Sequence, residues 1–236
     1  MSGHSKWNNI AKRKGANDAK KAAIFTKIGR KMAVAIKEGG SNNPDNNAKL
    51  RDCIAEAKAN NVPNDNIKRM LDKGNQSNVS YESNTYEGYG PSGIAVICET
   101  LTDNRNRTVA DVRHYFDKYG AGLGNAGCVS WQFEQKGVLI IERGDLDEDE
   151  TMMTVLDAGA DDFQADEDCF QIYTAPEDFS AVRDALTEAG FEFAQAEIQM
   201  VPQNTITLES QEDMAQLRKL LDSLEDNDDV QNVWHN

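Results

Sequence analysis

The run GVLIIERGDLDEDETMMTVLDAGADDFQADEDCFQIYTAPEDFSAVRDALTEAGFEFAQAEIQMV, residues 137–201, decides the fold class. Val138–Glu142 is a short apolar run that reads as a strand, and Glu148–Ala158 carries helical spacing. Asp161–Ala165 and Cys169–Thr174 read as two more strands, Glu177–Ala189 as a helix and Glu192–Val201 as a closing strand. The order β-α-β-β-α-β is that of the ferredoxin-like split βαβ unit. Before it stand a strand over Gly93–Thr102, a helix over Arg105–Tyr119 and a strand over Gly127–Phe133. After it stand a strand over Thr205–Leu208, a helix over Gln211–Leu224 and a strand over Val230–His235. The two βαβ halves predict a second ferredoxin-like domain that carries the first as an insertion, since the ends of a domain often lie close together.

Upstream, the period changes to that of helices. Phe25, Ile28, Met32 and Ile36 recur at three- and four-residue steps, and Lys20, Lys27, Arg30, Lys31 and Lys37 fall on the opposite side. Gly39-Gly40 and the Asn-rich turn before Pro44 end this helix. Leu50, Ile54 and Ala57 mark a second helix over Asn47–Ala59; Ile67 and Met70 mark a third, running through Leu71 and stopped by Gly74. The spacing predicts an α+β protein: an N-terminal helical bundle followed by two ferredoxin-like α/β domains, one inserted in the other. The expected boundaries are 1–75 for the helical domain, 76–92 for a linker, 93–136 plus 202–236 for one α/β domain, and 137–201 for the inserted one.

Charge is divided between these parts. The 236 residues carry a net −15. Residues 1–75 hold 16 Lys/Arg against 7 Asp/Glu, a net +9, whereas residues 76–236 hold 9 against 33, a net −24. Such asymmetry points to nucleic acid or membrane surfaces, but the apolar runs fall far short of the ~18 residues of a membrane span. Lys6, Lys12, Arg13, Lys14, Lys20, Lys27, Arg30 and Lys31 are the expected phosphate contacts. Roughly six such contacts on duplex DNA would give a log K versus log salt slope near −5. The competing reading is a solvated helix face, or a basic arm docked on the acidic domains; the sign asymmetry favours nucleic acid. Trp7 either stacks on a base or anchors the tail.

Thr102-Asp103-Asn104-Arg105-Asn106-Arg107-Thr108 lies between a strand and a helix. Asp103 is placed as an N-cap, and Arg105 and Arg107 either grip phosphate as planar forks or pair with nearby carboxylates. Gly122-Leu123-Gly124-Asn125-Ala126-Gly127 matches G-x-G-x-x-G, yet a helix precedes it and a strand follows, the reverse of the dinucleotide fingerprint. It reads as a glycine loop with unusual φ angles. The acidic clusters fail the EF-hand pattern, because an EF-hand loop counted from Asp145 would need Gly and Glu where Glu150 and Leu156 stand. Four dispersed cysteines and three separated histidines offer no metal site and no nucleophile–base pair. No catalytic residue, metal or cofactor is expected, and no secretory pattern opens the chain, so a cytoplasmic setting with reduced thiols is expected.

Several strings in the chain resemble the YebC family. They are Gly3-His4-Ser5-Lys6-Trp7, Phe25-Thr26-Lys27, Gly39-Gly40, Pro63 through Ile67 with Arg69, and Tyr86-Glu87-Gly88-Tyr89-Gly90-Pro91 with Gly93. The Thr102–Thr108 string, Asp228-Asp229-Val230-Gln231 and Trp234-His235-Asn236 complete the likeness across essentially the whole length. The resemblance implies a helical domain and two α/β domains, one interrupting the other. It also implies a DNA-binding transcriptional regulator or, as the alternative, a ribosome-associated translation factor that contacts rRNA or tRNA. The expected protein is therefore a non-enzymatic, nucleic-acid-binding regulator whose acidic α/β domains contact protein.

Overall fold

The computed structural model describes residues 18–76 and 79–236, with side chains described from Ala22 onward except those of Asn75 and Gln76. Helix α1 spans Asp18–Gly39, α2 Ala48–Ala59 and α3 Asn64–Gln76. The apolar stripe of α1 is buried through Ile28, Met32, Ala35 and Ile36. Asn47 fixes the turn into α2. Its side-chain amide donates to Ala35 O (2.8 Å) and Ser41 O (3.0 Å), while its Oδ1 accepts from Leu50 N (3.1 Å), as an N-cap does. Gly74 does not stop α3, which continues to Gln76. It is an approach point: a Cβ there would lie 2.7 Å from Ile36 Cδ1, so the lost helix propensity of a glycine is traded for close packing on α1.

The α+β architecture continues with two four-stranded antiparallel sheets. The first contains β1 (Glu82–Tyr89), β2 (Ala95–Thr102), β3 (Gly122–Leu123) and β8 (Val230–His235), in the order β3-β1-β2-β8. Helices α4 (Arg105–Tyr119) and α7 (Gln211–Glu225) cover one face through Val96, Cys98, Val112, Phe116, Leu220 and Leu224. Its other face buries Ala95, Ile97, Val129 and Phe133. The second sheet contains β4 (Phe133–Glu142), β5 (Asp162–Ala165), β6 (Cys169–Thr174) and β7 (Phe193–Pro202), in the order β5-β6-β4-β7. With α5 (Glu148–Asp157) and α6 (Phe179–Glu188) it forms the split βαβ unit, cored by Leu139, Ile141, Val155, Phe170, Ile172 and Leu186.

The first sheet reaches the same spatial order by a different route along the chain. Segment 76–92, expected as a linker, contains β1, whose full length pairs with β2 from Glu82↔Thr102 to Tyr89↔Ala95. It occupies the inner position that Thr205–Leu208 was expected to fill, and those four residues form no strand. Strand β1 hides its period because Gly88 and the buried Glu87 interrupt the apolar alternation that marks a half-buried strand. The expected strand over Gly127–Phe133 is instead a loop and the 3-10 turn Ser130–Gln132, with β4 beginning at Phe133 and running unbroken to Glu142.

Glu87 explains that loop. Only 6% exposed, its carboxylate accepts from the backbone N–H of Gly127 (2.8 Å), Val129 (2.9 Å) and Ser130 (2.8 Å). Burial, the largest influence, pushes its carboxyl up, but these three donors outweigh it and hold it below the usual range. Gly122 (φ +108) and Gly127 (φ +86) adopt the left-handed angles expected of the glycine loop. Gly88 lets β1 pass between α4 and β3: a Cβ would sit 2.6 Å from Phe116 Cε1 and 2.8 Å from the Gly122 carbonyl oxygen. Because one of those atoms is backbone, Gly88→Ala is expected to destabilise the first sheet by about 1–3 kcal/mol, read as a lower midpoint in urea unfolding.

Candidate nucleic-acid interface

Two compact units divide the described residues, one containing residues 54–64 and 135–199, the other residues 23–53, 65–134 and 200–236. The second unit brings together α1, the Thr102–Thr108 string and the turn after α7. Their meeting point is Asp229, 3% exposed. Arg30 Nη1 donates to Asp229 Oδ1 (2.7 Å), and Arg107 reaches Oδ2 through Nε (3.2 Å) and Nη2 (2.8 Å). Thr108 Oγ1 donates to the same oxygen (2.8 Å). Burial, the largest influence, raises the Asp229 carboxyl, yet the bonds from Arg107, Thr108 and Arg30 carry it below the ordinary value.

Local sequence sets up each partner. Asn104, not Asp103, is the N-cap of α4, its side chain accepting from Arg107 N (3.2 Å). Asp103 is thereby left to pair with Arg107 Nη2 (2.9 Å), four residues on. Thr102 Oγ1 accepts from Asn104 N (2.9 Å) and closes the turn. Two of the strings quoted for the family likeness therefore converge on one carboxylate, with a third contribution from α1.

The basic face of α1 is engaged in the same way. Arg30 Nη1 also donates to the carbonyl oxygens of Asp228 (2.7 Å) and Leu101 (3.2 Å). Lys27 Nζ donates to Glu225 O (2.6 Å), the last residue of α7, where a cation meets the negative end of the helix dipole. Burial lowers the Lys27 amine from its usual value although Glu225, Asp228 and Asp226 oppose the shift. Lys31 lies where its charge favours ionisation of Glu99, which burial pushes up. Lys27 and Arg30, expected to contact phosphate, are thus engaged within the chain, and Arg107 takes the carboxylate pairing that was its alternative. The sequence neighbours of Arg30 showed no acid, because the carboxylate that meets it lies 199 residues away.

The groove beside this clamp, about 400 Å³, places Asp103, Asp111, Asp226, Asp228 and Asp229 around only two guanidiniums. Five carboxylates against two engaged arginines repel a phosphate rather than attract one. Arg105 is exposed on α4 beside the Tyr86 phenol, whose ionisation burial opposes and Arg105 favours. Lys6, Lys12, Arg13 and Lys14, with Trp7, lie outside the described residues, and so does the side chain of Lys20 on α1. Among the described residues, no group of three or more His, Cys, Asp or Glu side chains is arranged to hold a metal ion. None of the four cysteines is in a disulfide, and burial pushes the Cys98 thiol up to about 12, which makes it inert.

Comparison with known proteins is direct. Residues 5–77 match the model of the TACO1/YebC protein N-terminal domain, and residues 81–236 match that of the TACO1/YebC second and third domain. The chain belongs to the TACO1/YebC family. A Clostridium tetani relative is 57% identical over 100% of this chain and 96% of its own, and one from Acetivibrio thermocellus is 54% identical over 100% and 98%. Both bear the name "Probable transcriptional regulatory protein". The crystal structure of a conserved hypothetical protein from Aquifex aeolicus, 39% identical, superposes with a TM-score of 0.82 over 93% of this chain and 90% of that one. Three of the strings quoted for the likeness have an architectural use here: Glu87 holds the glycine loop, and Arg107 and Asp229 clamp α1. No helix among the described residues is long and apolar enough to cross a membrane.

The clamp has a measurable pH signature. A carboxyl held below its unfolded value stabilises the fold above that value, about 3.9 for Asp, and the contribution is lost as pH falls through the lowered folded value. Asp229→Asn leaves two guanidiniums around a neutral acceptor, and a loss of about 2 kcal/mol or more is expected near neutral pH. The variant is also expected to show a shallower decline in stability below about pH 4 than the wild type, measured by urea unfolding across a pH series.

Proposed function

We propose that this TACO1/YebC protein is a non-enzymatic, nucleic-acid-binding regulator of gene expression that works in the cytoplasm as a DNA-binding transcriptional regulator. The observation that carries this reading is the division of charge, +9 over residues 1–75 against −24 over the remainder. The anionic remainder repels a polyanion and the cationic N-terminal part attracts one, so contact with nucleic acid is directed to residues 1–75 and the acidic domains are left for protein partners. Relatives named for transcriptional regulation, at more than half identity, support the same assignment. Within the head, the internal use of Lys27 and Arg30 leaves Lys6, Lys12, Arg13, Lys14 and Lys20 as the sequence-derived phosphate contacts, with Arg105 as an outlying one.

Crosslinking in cells followed by sequencing of the attached nucleic acid tests the target. Promoter-region DNA is the expected product; predominantly rRNA or tRNA would replace the transcriptional reading with a translational one. Charge reversal at Lys12, Arg13 and Lys14 is expected to weaken binding equally across sequences, because phosphate contacts carry no base information. Unchanged affinity in a fluorescence-anisotropy titration would remove the N-terminal segment from the interface.

A further inference from the structure

We infer that the outward stripe Asp149, Met152, Met153 and Leu156 on α5 of the inserted domain is a docking surface for a cationic amphipathic helix of another protein. This rests on the reading proposed above, which leaves the acidic domains for protein partners, and assigns that contact a helix face and a partner chemistry.

The four residues follow the i, i+3, i+4, i+7 spacing of one helix face. The inward side of α5 is Thr151 and Val155, both buried, and Val155 belongs to the domain's core. At about 100° per residue the stripe is turned away from that side. Met153 is 64% exposed and Leu156 47%, and Leu146, directly before the N-cap Asp147, is exposed as well. Of the nine large apolar side chains that the described residues expose, four fall within residues 146–156. Apolar exposure concentrated in this way marks a contact surface, whereas scattered exposure is ordinary. The two flexible thioethers let the stripe mould to the apolar side of a partner helix.

Charge selects the occupant. Residues 137–201 hold 18 Asp/Glu against two Arg, a net −16 out of the −24 carried by residues 76–236. Both arginines are taken within the domain, Arg143 by Glu148 (2.9 Å) and Arg183 by Asp184 (2.9 Å). Among the described residues, no cation pairs with Asp149, Glu150 or Asp157 beside the stripe. Glu148, Asp149 and Glu150 suit the positive end of α5, but Asp157 closes a last turn with no basic residue and meets the negative end. At the same end of α7, Lys27 supplies the cation; at α5 a partner's lysine or arginine would. Nucleic acid and anionic lipid are repelled by this domain, and a second copy of it brings the same acids. The helical domain of a second copy does not fit either: its α1 stripe is buried, and its described residues expose no large apolar side chain. A cationic helix with a free apolar face, from a different protein, satisfies both the charge and the stripe.

The test uses the full chain and a fluorescent peptide of Leu and Lys, about 18 residues long with its leucines on one helix face, followed by anisotropy. A second peptide of equal charge carries Gln in place of each Leu and is expected to bind roughly tenfold or more weakly. Met153→Gln with Leu156→Gln keeps good helix formers at exposed positions, so an unchanged thermal melt is expected. The Leu/Lys peptide is expected to lose roughly tenfold or more in affinity for this variant. Ile206→Gln with Met214→Gln makes the same change at exposed apolar positions outside the domain and is expected to leave affinity nearly unchanged. Equal binding of the two peptides, an equal loss in the control pair, or wild-type affinity in the α5 pair overturns the assignment. In cells, a photo-reactive phenylalanine analogue placed at Met153 is expected to capture another protein through a Lys/Arg-rich helix, and the same analogue at Met214 is not. Capture of a second copy of this chain at position 153 overturns the choice of occupant. Capture of a protein at position 214 alone overturns the α5 surface and leaves the protein-partner reading standing; capture at neither position overturns both.

Discussion

The carboxylate of Asp229 is almost completely removed from water and yet stays ionised, because two guanidiniums and a hydroxyl reach it at 2.7–3.2 Å. Those donors come from α1 and from the first turn of α4, and the acid itself sits in the turn after α7. An uncompensated charge in that position would cost several kcal/mol, so the three segments are bound to one another by the requirement to satisfy it. Arg30 also takes carbonyl oxygens from Leu101, at the end of β2, and from Asp228. The orientation of α1 against the first sheet follows from one acid.

Much of the architecture was legible in periodicity. The inserted split βαβ unit came through because its strands are short apolar runs separated by clear helical spacing and turn residues. The helical stripe of α1 was visible for the same reason. What escaped was β1, where a buried glutamate, a packing glycine and aromatic residues replaced regular alternation, and its place was given to Thr205–Leu208. Gly74 was misread as punctuation because helix-stopping and helix-packing glycines look alike until the neighbouring helix is in place.

The candidate interface was less legible than the fold, for a physical reason. A cation's availability depends on acids that approach it in space, and the carboxylate that meets Arg30 lies nearly two hundred positions along the chain. Counting charges therefore gave no sign that Lys27 and Arg30 are engaged within the chain.

The route by which the first sheet is assembled also bears on synthesis. Strands β1 and β2 are neighbours in the chain and can form a hairpin early, but β2 must wait for β8, whose Val233, 135 positions further on, pairs with Cys98. The inserted domain lies wholly between them and has its own core, so a chain emerging from the ribosome can complete that domain first. Until the last strand is made, one edge of β2 stays open, a template for pairing with another chain. Arg30 and Arg107 likewise await their acid until residue 229 is made. Nascent molecules thus display a more cationic helical head than mature ones do.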